Sequence, residues 1–457
     1  MTLMTSSTIW HYLAQFFAQD VLAALMAADC TSRVVLNERV AESLDEHYRE
    51  FDLRKRTVVN RVRILRIGPY FVCDALDRRQ EHPFRDTVRL MRALLARFRH
   101  IEEYHLLWHE RPTMSLHRDE HKCDMSDIFR RGSAFLAIPF SSSPYLHTID
   151  VELSLDKAAH LFLPTVVLPR LENIRLCIRN DHSGDLTTAG YTMAHRLSRF
   201  LNNHNHTLRS LSFETSLCTD FSPLFLALGF FAHLSKLVLV IPTSKPHLGD
   251  PSALKGFLQL HHDTVEHLSL RGFCTNQVWA RMDVGWLSAC LSGVTFSALR
   301  MLSVGTSFLP LDAAMLCIRQ WADTLTTLDI TGHYLSYEEA ESMLRVFAGR
   351  SLGSLSVGVT CLSPELIDKL AQSLPGLTKL HLRIQSVVPH LHDSLTDIGG
   401  GHKQNDQEWQ AGFCAEMGMR KYDGWKLDEV GIWKFGKSKL QYQGWCVCAV
   451  RGSLGHE

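Results

Sequence analysis

No two of the twelve cysteines in this 457-residue chain stand as a C-x-x-C pair; apart from Cys446 and Cys448 they are scattered singly from Cys30 onward. That argues against a zinc ribbon, a RING-type zinc fold or a compact disulfide framework, and suits a reducing cytosol or nucleus. An excess of one charge is missing as well. Lys+Arg and Asp+Glu both number 48, so no global field draws the chain to nucleic acid or to an anionic membrane. A long uninterrupted apolar run is the third absence. The nearest approach, "TIWHYLAQFFAQDVLAALM" at 8–26, is broken by Gln15, Gln19 and Asp20 before the ~20 residues that a membrane span requires. It has no preceding Lys or Arg and no clear cleavage site, so neither export nor membrane insertion is expected. The sequon Asn205-His206-Thr207 then carries no meaning. What remains is 46% hydrophobic and 21% charged residues, ordinary for a globular chain of several domains or one elongated array.

Periodicity identifies the array. The pattern L-x-x-L-x-L, with other aliphatics or aromatics allowed, recurs as "LENIRL" (171), "LRSLSF" (208), "LSKLVL" (234), "VEHLSL" (265), "LRMLSV" (299), "LTTLDI" (325), "LGSLSV" (352) and "LTKLHL" (377). Weaker copies are "VRILRI" (62), "IEEYHL" (101), "LHTIDV" (146) and "LDEVGI" (427). Between them lie segments of helical pattern such as "DAAMLCIRQWADTL" and "SYEEAESMLRVFAGR", with Asp312, Ser336 and Ser363 at N-cap positions and Gly349 near a helix end. The expected fold is therefore α/β: a leucine-rich-repeat solenoid over 57–387, with a parallel sheet lining a concave face and helices on the convex side.

The phase of the hexad assigns faces. Side chains alternate along a strand, so the leucines point inward and their neighbours outward. This places Asp150, Glu152, Arg175, Glu214, Arg271, Asp329, Lys379, His381 and Arg383 on the concave sheet, with Ser212, Ser269, Ser303 and Ser356 sharing one column. Such a face suits a protein partner, since solenoids present extended surfaces for that purpose; taken singly, each residue also suits a merely solvated sheet. Residues 109–143 read as an inserted loop, and 388–408, with "GGGHKQNDQE", as another loop or linker. Beyond it Trp409, Trp425, Trp433 and Trp445 crowd a tail read as a strand-rich cap closing the open end, so that 388–457 forms a linker and cap.

Several chemical motifs are set aside. "GIWKFGKS" (431–438) matches the P-loop pattern, but its surroundings alternate like a strand and too little chain follows for a nucleotide fold. "HRDEHKCD" (117–124) offers His117 and His121 at i, i+4, yet its acid is misplaced for a zinc protease. Arg85, Arg89, Arg92 and Arg99 recur beside an apolar stripe of Phe84, Val88, Met91, Leu95 and Phe98, which reads as a solvated helix face; nucleic acid is not inferred. The histidines of "NNHNH" and "LHH" read as turn residues. No cofactor, no metal and no catalytic residue is expected.

The head, residues 1–50, reads as three short helices. Ile9, Trp10, Leu13, Phe16 and Phe17 form one apolar stripe, Asp20 caps a second helix carrying Val21, Leu22, Leu25 and Met26, and a third runs from about Thr31 to Tyr48. This head, joined to the repeats, resembles F-box leucine-rich-repeat proteins and, more particularly, the F-box-like domains abundant in mushroom-forming fungi. Their pattern runs roughly L-P-x-E-L-W-x-x-I-x-x-F-L, then an acidic residue and a D-L-L-like turn. Ile9 matches the Leu, Trp10 the Trp, Leu13 the Ile, Phe16-Phe17 the F-L pair and Asp20-Val21-Leu22 the turn; "TSS" stands for the Leu-Pro opening and Thr8 for the Glu. The resemblance implies a non-enzymatic, cytoplasmic or nuclear substrate-recognition subunit of a cullin–RING ubiquitin ligase. Its docking residues on the Skp-type adaptor would be Ile9, Trp10, Leu13, Phe16, Phe17, Val21 and Leu22, and its repeats would select an unknown protein substrate. The alternative is a leucine-rich-repeat scaffold whose head only caps the solenoid.

Overall fold

The structure, a computed structural model, describes residues 33–36, 62–67, 95–96, 98–107, 136–179, 186–215, 220–242, 249–273, 284–305, 311–390, 406–435, 440–442 and 450. The chain divides into two compact units, Met1–Leu234 with His247–Phe257, and Ser235–Pro246 with Leu258–Glu457. In both, the hexad dictates the architecture.

The first unit contains strands β1 (Arg33–Leu36), β2 (Ile64–Ile67), β3 (Glu103–Leu107), β4 (Thr148–Ser154), β5 (Asn173–Arg179) and β6 (Ser210–Thr215), each parallel to the next. Its helices are α1 (Ile138–Ser142), α2 (Leu155–Leu161), α3 (Leu186–Asn202), α4 (Ser222–Ala227) and, up to Phe257, α5 (Pro251–Leu260). The second unit runs β7 (Lys236–Pro242), β8 (His267–Phe273), α6 (Val284–Leu291), β9 (Met301–Gly305), α7 (Leu311–Trp321), β10 (Thr327–Thr331), α8 (Tyr337–Val346), β11 (Ser354–Leu362), α9 (Pro364–Ser373), β12 (Lys379–Val387), α10 (Asp406–Gly418), β13 (Glu429–Phe435) and β14 (Leu440–Tyr442). There β7 to β13 pair in parallel and only β14 turns antiparallel.

All three apolar hexad positions are buried in every copy, the weak ones included: Val62, Leu65 and Ile67, like Leu427, Val430 and Ile432, are at most 4% exposed. Within each unit, the residue after the first apolar position gives the repeats their backbone lock. Its carbonyl accepts two N–H groups of the next repeat, as Glu172 O does from Arg209 N (2.8 Å) and Ser210 N (2.9 Å), and Gly353 O from Thr378 N (2.8 Å) and Lys379 N (3.0 Å). The ladder therefore begins before the strand proper, which fixes the register that the leucines alone leave free.

Turns between repeats would strand polar backbone groups, and single side chains satisfy them. Asn202 Nδ2 donates to Ala227 O (2.9 Å), while Asn202 Oδ1 accepts from Gly229 N (2.9 Å). Trp321 Nε1 donates to Val294 O (2.7 Å), and Trp425 Nε1 to Leu374 O (3.0 Å). Ser336 makes a capping box with Glu339 (Glu339 N to Ser336 Oγ, 3.2 Å; Ser336 N to Glu339 Oε2, 2.7 Å), and Ser363 Oγ caps α9 by accepting from Leu366 N (3.3 Å). Asp312 lies in the first turn of α7 and is not its N-cap, a place where its charge still suits the helix dipole.

His204 of "NNHNH" lies in a turn, as expected, but is only 2% exposed. Its Nδ1 faces Phe200 O at 2.7 Å, so that nitrogen carries the proton, and Nε2 accepts from Leu168 N at 2.9 Å. His261, in "LHH", is likewise buried at 0% exposure. Burial holds the His204 imidazole below its ordinary value of 6.5, with the Phe200 carbonyl opposing. The neutral ring thus contributes its full stability above 6.5, and that contribution is lost progressively as the pH falls from there through the lower folded value. Thermal melts between about pH 7 and about pH 5 are expected to show a steeper loss for the wild type than for His204→Gln, which cannot titrate; equal slopes would refute the assignment.

Three expectations are corrected. Residues 33–36 form a strand paired with β2, where the third head helix was expected, because the β-branched residues of "RVVL" favour a strand over a helix; the rest of the head lies outside the described residues. The end of the 109–143 insertion is not loop: α1 buries Phe140, which meets the Tyr104 (5.5 Å), Phe162 (6.3 Å) and Phe200 (6.2 Å) rings. Leu95 and Phe98, from the apolar stripe beside the arginines, are buried in the core, which agrees with a solvated face on the arginine side. The tail is a mixed cap, since α10 precedes β13 and buries Phe413 and Met417. Arg420 (3.1 Å) and Tyr422 (2.6 Å) both bind Asp368 at this end. Among the described residues no helix is long and apolar enough to cross a membrane.

Candidate functional site

The leucines of each strand are buried, and the residues between them, on the opposite side of the described strands, form the candidate site. The strand registers place all nine expected charged residues on that side, in two separate sets. Asp150, Glu152, Arg175 and Glu214 lie in the first unit; Arg271, Asp329, Lys379, His381 and Arg383 lie in the second.

In the first unit one row reads Arg66, His105, Asp150, Arg175 and Ser212 across β2 to β6. Opposite charges stand side by side and join. His105 lies between Asp150 (Nδ1 to Oδ2, 3.3 Å) and Glu103 (Nε2 to Oε2, 3.2 Å). Arg175 reaches Asp150 at 3.6 Å and grips Glu214 through Nε (3.0 Å) and Nη2 (3.3 Å). Arg179 meets Glu152 at 2.5 Å. Burial by itself would raise the Asp150 carboxyl, but the His105 hydrogen bond and the charges of Arg175, His105 and Arg66 overcome it and hold the group below the ordinary carboxylate range. Cys177, opposite Glu152 and Glu214, has its thiol pushed up to about 12, first by burial and then by Glu152; a thiol so held is no nucleophile at neutral pH. Arginines stand highest here, Arg175 at 48% and Arg179 at 47% side-chain exposure, over carboxylates at 12–25%.

In the second unit Ser269, Ser303 and Ser356 do share a row, and Asp329 stands between the last two; Ser212 faces Arg175 in the first unit. Ser303 is 5% exposed and donates to Asp329 Oδ2 (3.1 Å), while Asp329 Oδ1 faces Arg383 (3.6 Å). The guanidinium of Arg383 reaches the Ile330 carbonyl as well. Glu429 binds both Lys379 and His381 at 2.9 Å, and the Lys379 hydrogen bond, followed by that of His381, holds its carboxyl below the ordinary range. The Trp433 indole folds across Gly431 and meets His381 edge-on at 5.2 Å. Gly358 is needed where the 332–335 turn crosses the face, since a Cβ there would lie 2.5 Å from the His333 carbonyl oxygen.

The sequence reading missed His105, Arg66 and Arg179, although the alternation rule applied to the weak hexads would have found the first two. It also missed Glu429, because "LDEVGI" was counted among the weaker copies, and it read Trp433 as part of the cap, not of this face. A second feature had no sequence signal: a cavity of about 640 Å³ at the strand entrances of the first unit, lined by Tyr145, His147, Arg170, His206 and His233 among others. Arg170 lies over the Tyr145 ring at 4.9 Å, and Arg209 approaches Glu172 at 3.8 Å. The P-loop match dissolves, since 431–435 is strand in register with β12. Among the described residues no group of His, Cys, Asp and Glu is arranged to hold a metal ion. The adaptor-docking residues Ile9, Trp10, Leu13, Phe16, Phe17, Val21 and Leu22, and the 117–124 segment, lie outside the described residues.

No family model matches the sequence, and no curated protein matches it. Among solved structures, the crystal structure of the Rad7 and Elc1 complex in yeast is matched with a TM-score of 0.35 and 16% identity, over 86% of this chain and 100% of that chain.

Proposed function

We propose that this chain is a non-enzymatic recognition subunit whose repeats bind a protein through the open sheet face and whose head docks on the Skp-type adaptor of a cullin–RING ubiquitin ligase. The observation that carries the first half is the open face itself: parallel strands hold charged side chains in register, fixed by ion pairs before any partner arrives, so little side-chain entropy is left to lose on binding. The ligase half rests on the likeness of 8–26 to F-box-like heads. Acting in the cytoplasm or nucleus, such a subunit performs no bond chemistry. It holds a substrate lysine near the loaded E2, and proximity supplies the effect.

One observation favours the second reading, a repeat scaffold without a ligase role: residues 33–36 add a strand to the repeat sheet, as a simple cap would. Co-precipitation separates the two. The intact chain is expected to bring down the Skp-type adaptor, and Trp10→Glu with Phe16→Glu to lose it. An intact chain that brings down none, with deletion of residues 1–30 changing nothing, leaves the scaffold.

A further inference from the structure

We infer that the first three strands of the second unit form a docking strip for an extended acidic segment of a protein partner, with carboxylates four residues apart and an apolar residue midway. The inference rests on the reading that the open face binds protein, and it names the chemistry of what binds.

The open sides of β7, β8 and β9 present Lys236, Val238 and Val240, then His267, Ser269 and Arg271, then Met301, Ser303 and Gly305. No carboxylate occurs in this block. Elsewhere on the open faces charges are matched: Arg175 and Arg179 lie on Glu214 and Glu152, Lys379 on Glu429, Arg383 on Asp329. Lys236 and Arg271 are both exposed, and among the described residues neither has an ion-pair partner. Asp329, on the Ser269–Ser303 row that lies between the rows of the two cations, is already engaged by Ser303 and Arg383. Two unmatched cations on a face that otherwise balances its charges mark where an outside anion completes the pattern.

Geometry sets the spacing of that anion. Lys236 stands opposite His267, four residues before Arg271 on β8, so the two cations are roughly 14 Å apart by strand rise and strand spacing. Side chains two apart on an extended peptide share a face, and those four apart are separated by roughly 13 Å. Carboxylates at that interval reach both cations, while the residue midway lies over half-buried Val238, beside Ser269 in the same row. Gly305 keeps the second cation in place: the Arg271 stem lies across it, and a Cβ there would stand 3.0 Å from Arg271 Cγ.

The test is fluorescence anisotropy of the full chain with a labelled peptide repeating Glu-Ser-Leu-Ser, beside the same peptide with Gln or Lys for Glu. The Glu peptide is expected to bind roughly tenfold tighter than the Gln peptide, to weaken with salt, and to lose that advantage in Lys236→Glu/Arg271→Glu. Lys236→Gln/Arg271→Gln serves if the reversal disturbs folding, and Arg319→Glu, an exposed cation on α7, is expected to change nothing. Equal affinity for the Glu and Gln peptides, or an unchanged affinity in the double variants, overturns the inference. Failure of adaptor co-precipitation alongside acidic-peptide binding instead removes the ligase reading and leaves this strip standing.

Discussion

Leu355→Asp is expected to unfold the second unit, whereas Ser354→Asp, one residue earlier, is expected to change stability by less than about 0.5 kcal/mol. Leu355 is 1% exposed on the covered side of β11, between Leu328 and Leu380 in register. A carboxylate there loses the leucine's burial and must either stay charged without a partner or take up a proton, which together cost on the order of 5 kcal/mol or more. Ser354 sits on the open side opposite Lys379, where a new carboxylate meets a cation in water. Urea denaturation followed by circular dichroism reads both. Equal costs for the two variants would overturn the assignment of the hexad's phase, and with it the candidate site.

Trp321→Ala is expected to cost about 4 kcal/mol, and Trp321→Phe only about 1 kcal/mol. The indole is 2% exposed and meets the Phe296 ring edge-on at 5.2 Å, so truncation opens a large cavity next to an aromatic that cannot follow. Phenylalanine refills most of that volume but removes the donor to Val294 O (2.7 Å). The Gln320 amide also donates to that carbonyl, so the oxygen is not orphaned and the smaller loss follows. If both variants lose the same amount, the hydrogen bond rather than packing holds the turn.

The phase of the repeat was legible because it is a local property. Side chains alternate with period two wherever a strand forms, so "LTTLDI" or "LGSLSV" names its own inward and outward residues. All nine charged residues landed on the open side for that reason. The helix caps Ser336 and Ser363 were legible for the same reason, since a cap acts within one turn. The burial of His204 was not: a polar residue in a turn becomes core only because Leu168, thirty-six residues away, needs an acceptor. Nor was the helix at the end of the 109–143 insertion, where Phe140 is held by rings from β3, α3 and the turn after α2.

The sequence by itself determined that helical segments lie between the repeat strands and which side of each strand is apolar. Tertiary structure alone decided which charges meet. Partners such as Arg175 and Glu214 are 39 residues apart, and no local rule relates them; the lock between successive repeats sets that register. It brings Asp150 to His105 and Asp329 to Arg383, and by the same registration it leaves Lys236 and Arg271 without carboxylate partners among the described residues. A count of equal positive and negative residues could not show where on the surface that balance fails.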